Sequence, residues 1–366
     1  MYAFRILTTL LAAAGSTLRK NNGEQQQKTN DPIADWKPPS NNEIQQIRRL
    51  FVEPMKSLSS PIFFSTDSAT GKRHQSLKYV QQSADNRPIL FISNHQLVGI
   101  DSWLVVNELW EKSNIFVRAM THPFISADVK NDGTDGAEGE GAFTLPGSQS
   151  LYKNFGCLPV SPRNYYKLMK YNQPTLLFPG GARESFHKVN EQYTLKGWSE
   201  TSDFVRIAAK YNATIMPISS VGAAESAIFL DNLPFADTLN DALVKATPNG
   251  GAPYDARYDA NKEPINFPLV LPKPTGPARH YFLFNKPINL ENIDYKDKDE
   301  CQQIYNTIQD TIKQGCNDLL EAKTKDPFDN PIRRIPYEQF WRKDAPTFSI
   351  DVLNNRKISK CDNHQG

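Results

Sequence analysis

The 366 residues suffice for one large domain or two ordinary ones, and 39% hydrophobic against 22% charged residues excludes a disordered chain. A net charge of +2, with Lys and Arg spread along the chain, excludes the basic stripe of a nucleic-acid partner. The four cysteines, Cys157, Cys301, Cys316 and Cys361, make neither a CxxC pair nor a dense framework, so free thiols are expected.

Arg5, the apolar run from Ile6 to Ala14, and the basic pair Arg19 and Lys20 make residues 1–20 a candidate signal or transit segment, or an interfacial helix. That run is shorter than the roughly 20 apolar residues a bilayer span needs. No other stretch approaches spanning length, so any membrane attachment is expected to be peripheral or re-entrant. Residues 21–42, with Gln25, Gln26, Gln27, Asp31 and Pro32 and little that is apolar, read as a disordered linker. Ile44, Ile47, Leu50 and Phe51 then recur at helical spacing, with Asn41 or Asn42 as the expected cap and Pro54 as the expected stop or kink.

Pro88 to Ile92 is a continuous apolar run of the kind that forms a buried strand, and it ends at Ser93-Asn94-His95. Such a strand delivers His95 to a sheet edge. Apolar residues from Ile100 to Trp110 predict a helix and Ile115 to Val117 a second strand, an order that points to an α/β domain. Residues 128–147, rich in Gly, Asp and Glu, read as a surface insertion, and no GxGxxG appears there to cradle a dinucleotide.

Cys157 to Val160 and Thr175 to Phe178 read as further short strands, the second running into Pro179-Gly180-Gly181. A helix over Phe204 to Ala209 and a strand over Ile215 to Ile218 follow. Residues 231–278, crowded with Pro, Gly and Asn, read as an irregular excursion before the sheet resumes at His280 to Phe284. Cys301, Ile304, Tyr305, Ile308, Ile312, Leu319 and Leu320 then repeat at three and four residues, the pattern of a long closing helix. The expectation is one α/β domain over 43–326, with loop insertions at 128–147 and 231–278 and a C-terminal tail over 327–366.

Two polar turns fed by apolar strands carry the chemistry: Asn94-His95 through Asp101, and Phe178-Pro-Gly-Gly-Ala-Arg-Glu-Ser185. Open α/β sheets gather ligand sites at the carboxyl ends of their strands, where both turns fall. A neutral imidazole there can take the proton of an alcohol as its oxygen attacks a thioester carbonyl. Asp101, folded back from the first turn of its helix, can hold the ring in the required tautomer and stabilise the imidazolium. Gly180 and Gly181 let backbone N–H groups approach an oxyanion or a phosphate, and Arg183 adds a fixed cation suited to anions.

Plainer readings stand beside these. Taken alone, a histidine after a strand is an ordinary turn residue, and Arg183 with Glu184 is a surface pair worth less than about 1 kcal/mol. Cys157 reads as a small buried residue rather than a nucleophile. No GxSxG occurs, which disfavours a serine esterase, and the six isolated histidines offer no HExxH or His and Cys cluster for a metal.

Asn94-His95 with Asp101 resembles the His-and-Asp motif of the glycerolipid acyltransferase superfamily, and the segment from Phe178 to Ser185 resembles its second diagnostic block. The nearest likeness is the diacylglycerol acyltransferase and phytyl ester synthase branch, over about 44–326, with further similarity through Gly156 to Val160 and Leu271 to Pro274. This resemblance implies a glycerolipid-acyltransferase-like mixed sheet flanked by helices, with His95 as catalytic base, Asp101 as its partner, and Asn94, Gly180, Gly181, Arg183 and Glu184 at the substrate pocket. It implies acyl transfer from acyl-CoA or acyl carrier protein to a neutral lipid alcohol such as diacylglycerol or phytol, with no bound cofactor or metal. Lipid substrates and a membrane surface are the implied partners, in the plastid or the endoplasmic reticulum. Alternatives are acylation of a lysophospholipid or glycerol phosphate, with Arg183 holding the phosphate, and a lipid-binding protein that has lost the reaction.

Two departures from the superfamily pattern bear on this. Five residues rather than four separate His95 from Asp101, which on a continuous helix moves the acid by about 100°. Gly180 stands where members with phosphate-bearing acceptors carry Glu, which favours an uncharged acceptor.

Overall fold

The computed structural model describes residues 31–80, 87–99, 101–122, 148–230 and 269–355, with isolated positions between 231 and 268. The insertion expected at 128–147 and the candidate segment at 1–20 lie outside the described residues, as does most of the excursion at 231–278.

The first helix, α1 (Asn41–Ile47), is capped by Ser40 rather than by Asn41 or Asn42. Ser40 and Glu43 form a reciprocal capping box, the Ser40 N–H donating to the Glu43 carboxylate at 2.8 Å. Pro54 does not end the helix. A π-helical stretch, Arg48–Val52, leads into α2 (Glu53–Ser59), where the proline occupies the first turn and its missing N–H has no intrahelical role.

The elements that follow are β1 (Ile62–Thr66), β2 (Arg73–His74), β3 (Ile89–Ser93), a 3₁₀ turn (Leu97–Gly99), α3 (Asp101–Ser113) and β4 (Arg118–Thr121). After the first insertion come α4 (Ser148–Asn154), β5 (Leu158–Pro159), α5 (Pro162–Lys170), β6 (Thr175–Leu177), α6 (Gly181–Ser185), α7 (Asp203–Lys210), β7 (Thr214–Val221) and β8 (Ala227–Phe229). The rest is β9 (Val270–Pro272), β10 (Tyr281–Phe284), β11 (Ile288–Asn289), α8 (Lys298–Lys323), α9 (Pro331–Trp341) and α10 (Asp351–Asn354).

The main sheet runs in the order β2-β1-β10-β7-β3-β6-β4-β5, with β11 on the far end of β7. It is mixed. β3 runs parallel to β6 and β7, whereas β10 is antiparallel to β7 with Tyr281 opposite Val221. The carboxyl ends of β3, β6 and β7 therefore share one edge with the amino ends of β10 and of β1, which pairs Ile62 with Tyr281.

Both faces are covered by helices, so the central strands are apolar on both sides. Leu90, Ile92, Ile215, Tyr281 and Leu283 pack under Tyr305, Ile308, Ile312 and Leu319 of α8. Ile89, Phe91, Met216, Phe282 and Phe284 pack under Leu104, Val105 and Leu109 of α3. Each fully buried aliphatic or aromatic side chain contributes about 1.5–3 kcal/mol.

Three expectations are corrected. The strand expected at Ile115 to Val117 begins instead at Arg118. Arg118 is buried, donating to the carbonyls of Gly156 and Ile33 and lying over the Trp36 ring at 4.4 Å. A charged residue with such partners belongs in a buried strand, yet nothing local announces it. Part of the expected linker, residues 31–40, packs on the domain through Ile33 and Trp36. The expected tail is folded as far as residue 355, with Phe348 and Leu353 in the core and Arg334 of α9 fully buried. Cys157, Cys301 and Cys316 are free thiols, and Cys361 lies outside the described residues.

Candidate active site

β3 leaves the sheet at Ser93, and Asn94 extends its pairing with side-chain atoms. The Asn94 amide donates to the Ser220 carbonyl at 2.9 Å, and its oxygen accepts from the Ser220 N–H at 2.8 Å. Asn94 is 1% exposed. Its expected contact with substrate is thus corrected to a positioning one: it fixes the turn that presents His95.

The His95 imidazole stacks on the Phe178 ring, with centroids 4.1 Å apart and planes 17° from parallel. Its Nδ1 lies 3.4 Å from Asp101 Oδ1, the acid fully buried and the ring 18% exposed. Neither atom has a hydrogen-bond partner among the described residues. Such a base and acid can tighten into a hydrogen bond as substrate binds.

The extra residue between them is taken up before the helix begins. Leu97–Gly99 forms the 3₁₀ turn, Gly99 adopts a left-handed conformation at φ +70, and α3 starts at Asp101 itself. Asp101 then bends back, its Oδ2 accepting the Gln96 N–H at 3.2 Å. Gly99 also has to be small: a Cβ there would sit 3.0 Å from His95 Cε1.

The second turn meets the first. Phe178 at the end of β6 supplies the stacking ring, and Gly181, at φ +52 with its N–H on the Phe178 carbonyl at 3.0 Å, starts α6. That bond withdraws the Gly181 amide from the expected role as oxyanion donor. Gly180 is small because Glu184 folds over it, and a Cβ there would lie 2.1 Å from Glu184 Oε2.

Glu184 is neither a surface partner of Arg183 nor exposed to substrate. It is buried, and it accepts the Trp198 indole N–H at 3.0 Å. Burial pushes its carboxyl well above the usual range, against the Trp198 and His95 N–H groups that favour the charged form, while nearby Asp101 raises it further. Arg183 stays partly exposed at the turn beside Gly197 and makes no ion pair among the described residues.

Two further buried residues adjoin this pair without having drawn notice in the sequence. Gln96 Oε1 accepts the Ala223 N–H at 2.8 Å and ties the His95 turn to the end of β7. His280, at the start of β10, is 3% exposed, and Asp101 is the strongest charge its ring feels. Burial pulls the His280 ring down to about 4. No local signal could have found it, because only the β7–β10 register brings it to Asp101. Cys157 has its thiol pushed up to about 12 by burial, which makes it a poor nucleophile.

A mixed sheet carrying an Asn-His turn and a Pro-Gly-Gly turn at one edge agrees with the resemblance to glycerolipid acyltransferases drawn from the sequence. Comparisons with known proteins narrow the class. No family model matches the chain. It is 32% identical over 314 residues to phytyl ester synthase 1, chloroplastic, of Arabidopsis thaliana, covering 84% of this chain and 42% of that protein. It is 30% identical over 338 residues to phytyl ester synthase 2, chloroplastic, of the same plant, covering 88% and 45%. The chain is a homologue of the phytyl ester synthases, and it spans less than half the length of these curated relatives. A crystal structure of the 1-acyl-sn-glycerophosphate acyltransferase PlsC from Thermotoga maritima aligns over 87% of this chain and 98% of its own, with a TM-score of 0.39 and 10% identity. That likeness is too distant to carry weight.

Proposed function

We propose that the chain is an O-acyltransferase that moves a fatty acyl group from acyl-CoA or acyl carrier protein to a neutral lipid alcohol, with phytol the first acceptor to test. The observation that carries this is the His95–Asp101 pair, 3.4 Å apart, at the same edge as the Gly180–Arg183 turn. Asp101 holds the Nδ1 side of the ring, which leaves Nε2 to take the proton of the acceptor hydroxyl. The oxygen attacks the thioester carbonyl carbon, the tetrahedral intermediate expels the thiolate, and the imidazolium returns its proton to that sulfur. An ester and a free thiol result.

Arg183 fits a phosphate. That alone favours a lysophospholipid acceptor as the second reading, but both donors carry phosphate of their own, so the cation does not require a charged acceptor. The relatives' names support phytol as acceptor and the plastid as location. The test is direct: purified protein in detergent, with labelled acyl-CoA or acyl carrier protein, is offered phytol, diacylglycerol, fatty alcohols and lysolipids. Phytyl or other neutral esters are the expected product. Acylation of lysolipids alone would establish the second reading, and no ester from any acceptor would leave a lipid-binding protein without the reaction.

A further inference from the structure

Helix α9 is held to the domain by its Arg334 and Glu338 side chains, and other parts of its surface are exposed. Arg334, fully buried, donates through Nη2 to the Leu58 and Pro277 carbonyls at 2.9 and 2.8 Å, and through Nη1 to the Asp329 carbonyl at 3.1 Å. Glu338, one turn on, accepts the Ser60 hydroxyl at 2.6 Å and the Ala345 N–H at 3.1 Å. These contacts hold the helix rigidly by one side.

Beyond those contacts an apolar surface is left exposed. Ile332 is 60% exposed, Phe340 77% and Trp341 58%, and Leu58, whose carbonyl receives Arg334, is 51% exposed. Ile332, Pro336 and Phe340 recur every four residues, so they form one stripe along the helix. Phe340 and Trp341 pack edge to face at 5.0 Å, so the two rings project as a unit.

The rim of this patch is basic. Arg333, Arg342 and Lys343 are all exposed, against one exposed acid, Asp344. Aromatic and aliphatic side chains flanked by Arg and Lys match a bilayer interface, where rings sit at headgroup level and cations meet anionic lipids.

The patch also lies at the catalytic edge. Ser59 and Ser60 precede β1, the Arg279 guanidinium donates to the Ser60 carbonyl at 3.1 Å, and the His280 N–H donates to the Ser59 carbonyl at 3.1 Å. Both contacts fall at the amino ends of β1 and β10, the edge they share with the carboxyl ends of β3 and β7. A bilayer seated on α9 would therefore lie at the edge of the sheet where His95 waits.

From these observations we infer that α9, with Leu58 beside it, is a docking surface for an anionic lipid bilayer. This holds whether or not acyl transfer is the reaction, and its test is independent of activity. The experiment is co-sedimentation of the full chain with vesicles of phosphatidylcholine alone, and of phosphatidylcholine mixed with phosphatidylglycerol, at low and high salt. Wild type is expected to bind the anionic vesicles and to release as salt rises. A triple variant, Ile332→Ser, Phe340→Ser and Trp341→Ser, is expected to lose on the order of tenfold or more in partitioning. An Arg333→Gln, Arg342→Gln, Lys343→Gln variant is expected to lose about fivefold per charge on anionic vesicles only.

All six side chains are exposed, so circular dichroism and unfolding midpoints serve as checks that the fold is kept. Turnover of a short-chain acyl-CoA with a water-soluble alcohol should be the same in all three proteins, which separates docking from the acyl-transfer reading. Equal vesicle binding by the triple variant would overturn the inference and assign docking to another surface. So would a wild type that ignores vesicles but sediments as a dimer the triple variant cannot form, since α9 would then be a protein interface.

Discussion

Asp101 meets His95 because the chain between them is not one continuous α-helix. Leu97–Gly99 absorbs the fifth residue in a 3₁₀ turn, and the acid becomes the first residue of α3. His95→Ala is expected to lower acyl transfer about 10²- to 10⁴-fold with the unfolding transition unchanged, as read by a steady-state assay beside circular dichroism. Asp101→Asn keeps the shape but favours the wrong tautomer, so a large part of the rate should go while donor binding stays. Normal turnover in His95→Ala would remove the base from this mechanism. Gly180 is tied as closely to Glu184. A methyl group at position 180 would meet both the carboxylate oxygen at 2.1 Å and the Cβ of Glu184 at 2.6 Å, so the side chain has to abandon Trp198. Gly180→Ala should cost about 1–3 kcal/mol in chemical unfolding, and much of that cost should vanish in a Gly180→Ala, Glu184→Ala double variant.

Among the elements, α9 depends most on a single residue. Arg334 satisfies carbonyls from three separate stretches of chain, at Leu58, Pro277 and Asp329. Arg334→Met keeps the volume and removes the donors, leaving buried carbonyls unpaired at roughly 1–3 kcal/mol each. The expected result is a loss of at least about 3 kcal/mol in denaturant unfolding and new proteolytic cleavage before α9, while the sheet keeps its secondary structure. Resistance to protease equal to wild type would show that Glu338 and the apolar contacts suffice. α8 rests on different physics, with Asp297 capping its first turn and a stripe of core residues from Cys301 to Leu319 along its length.

Two buried groups at the site set opposite pH dependences for the whole molecule. The His280 ring titrates near 6.5 when unfolded and at about 4 when folded, so between those values the unfolded chain binds the proton that the folded chain refuses. Its contribution is complete above pH 6.5 and is lost as pH falls toward 4, at up to about 1.4 kcal/mol per pH unit. Glu184 acts the other way. Its carboxyl is raised from 4.5, so the folded state keeps a proton that the unfolded state gives up, and stability falls as pH rises above 4.5. Between pH 4.5 and 6.5 the two slopes oppose each other in wild type. Glu184→Gln should therefore show stability falling more steeply toward acid in that window, and His280→Gln should show it falling toward neutral pH, as read by urea unfolding across a pH series. Identical slopes in both variants would show that neither group titrates as its burial requires.

The amino-acid sequence by itself determined the central strands β3, β6, β7 and β10 and the two turns that follow β3 and β6. A run such as Ile89 to Ile92 has no polar side to offer water, so it becomes a buried strand wherever it is placed, and the polar residues that follow must lie at its end. His95, Asp101 and the Pro-Gly-Gly turn were legible for that reason, as was α8 from its spacing. Tertiary structure alone decided what those residues touch. Asn94 meets Ser220, Glu184 meets Trp198, and His280 comes to Asp101 only through the registers that join β3 to β7 and β7 to β10. The fold of 327–355 escaped for a related reason: Arg334 is held by carbonyls brought from distant segments, and a buried polar group with such partners leaves no periodic trace in the chain.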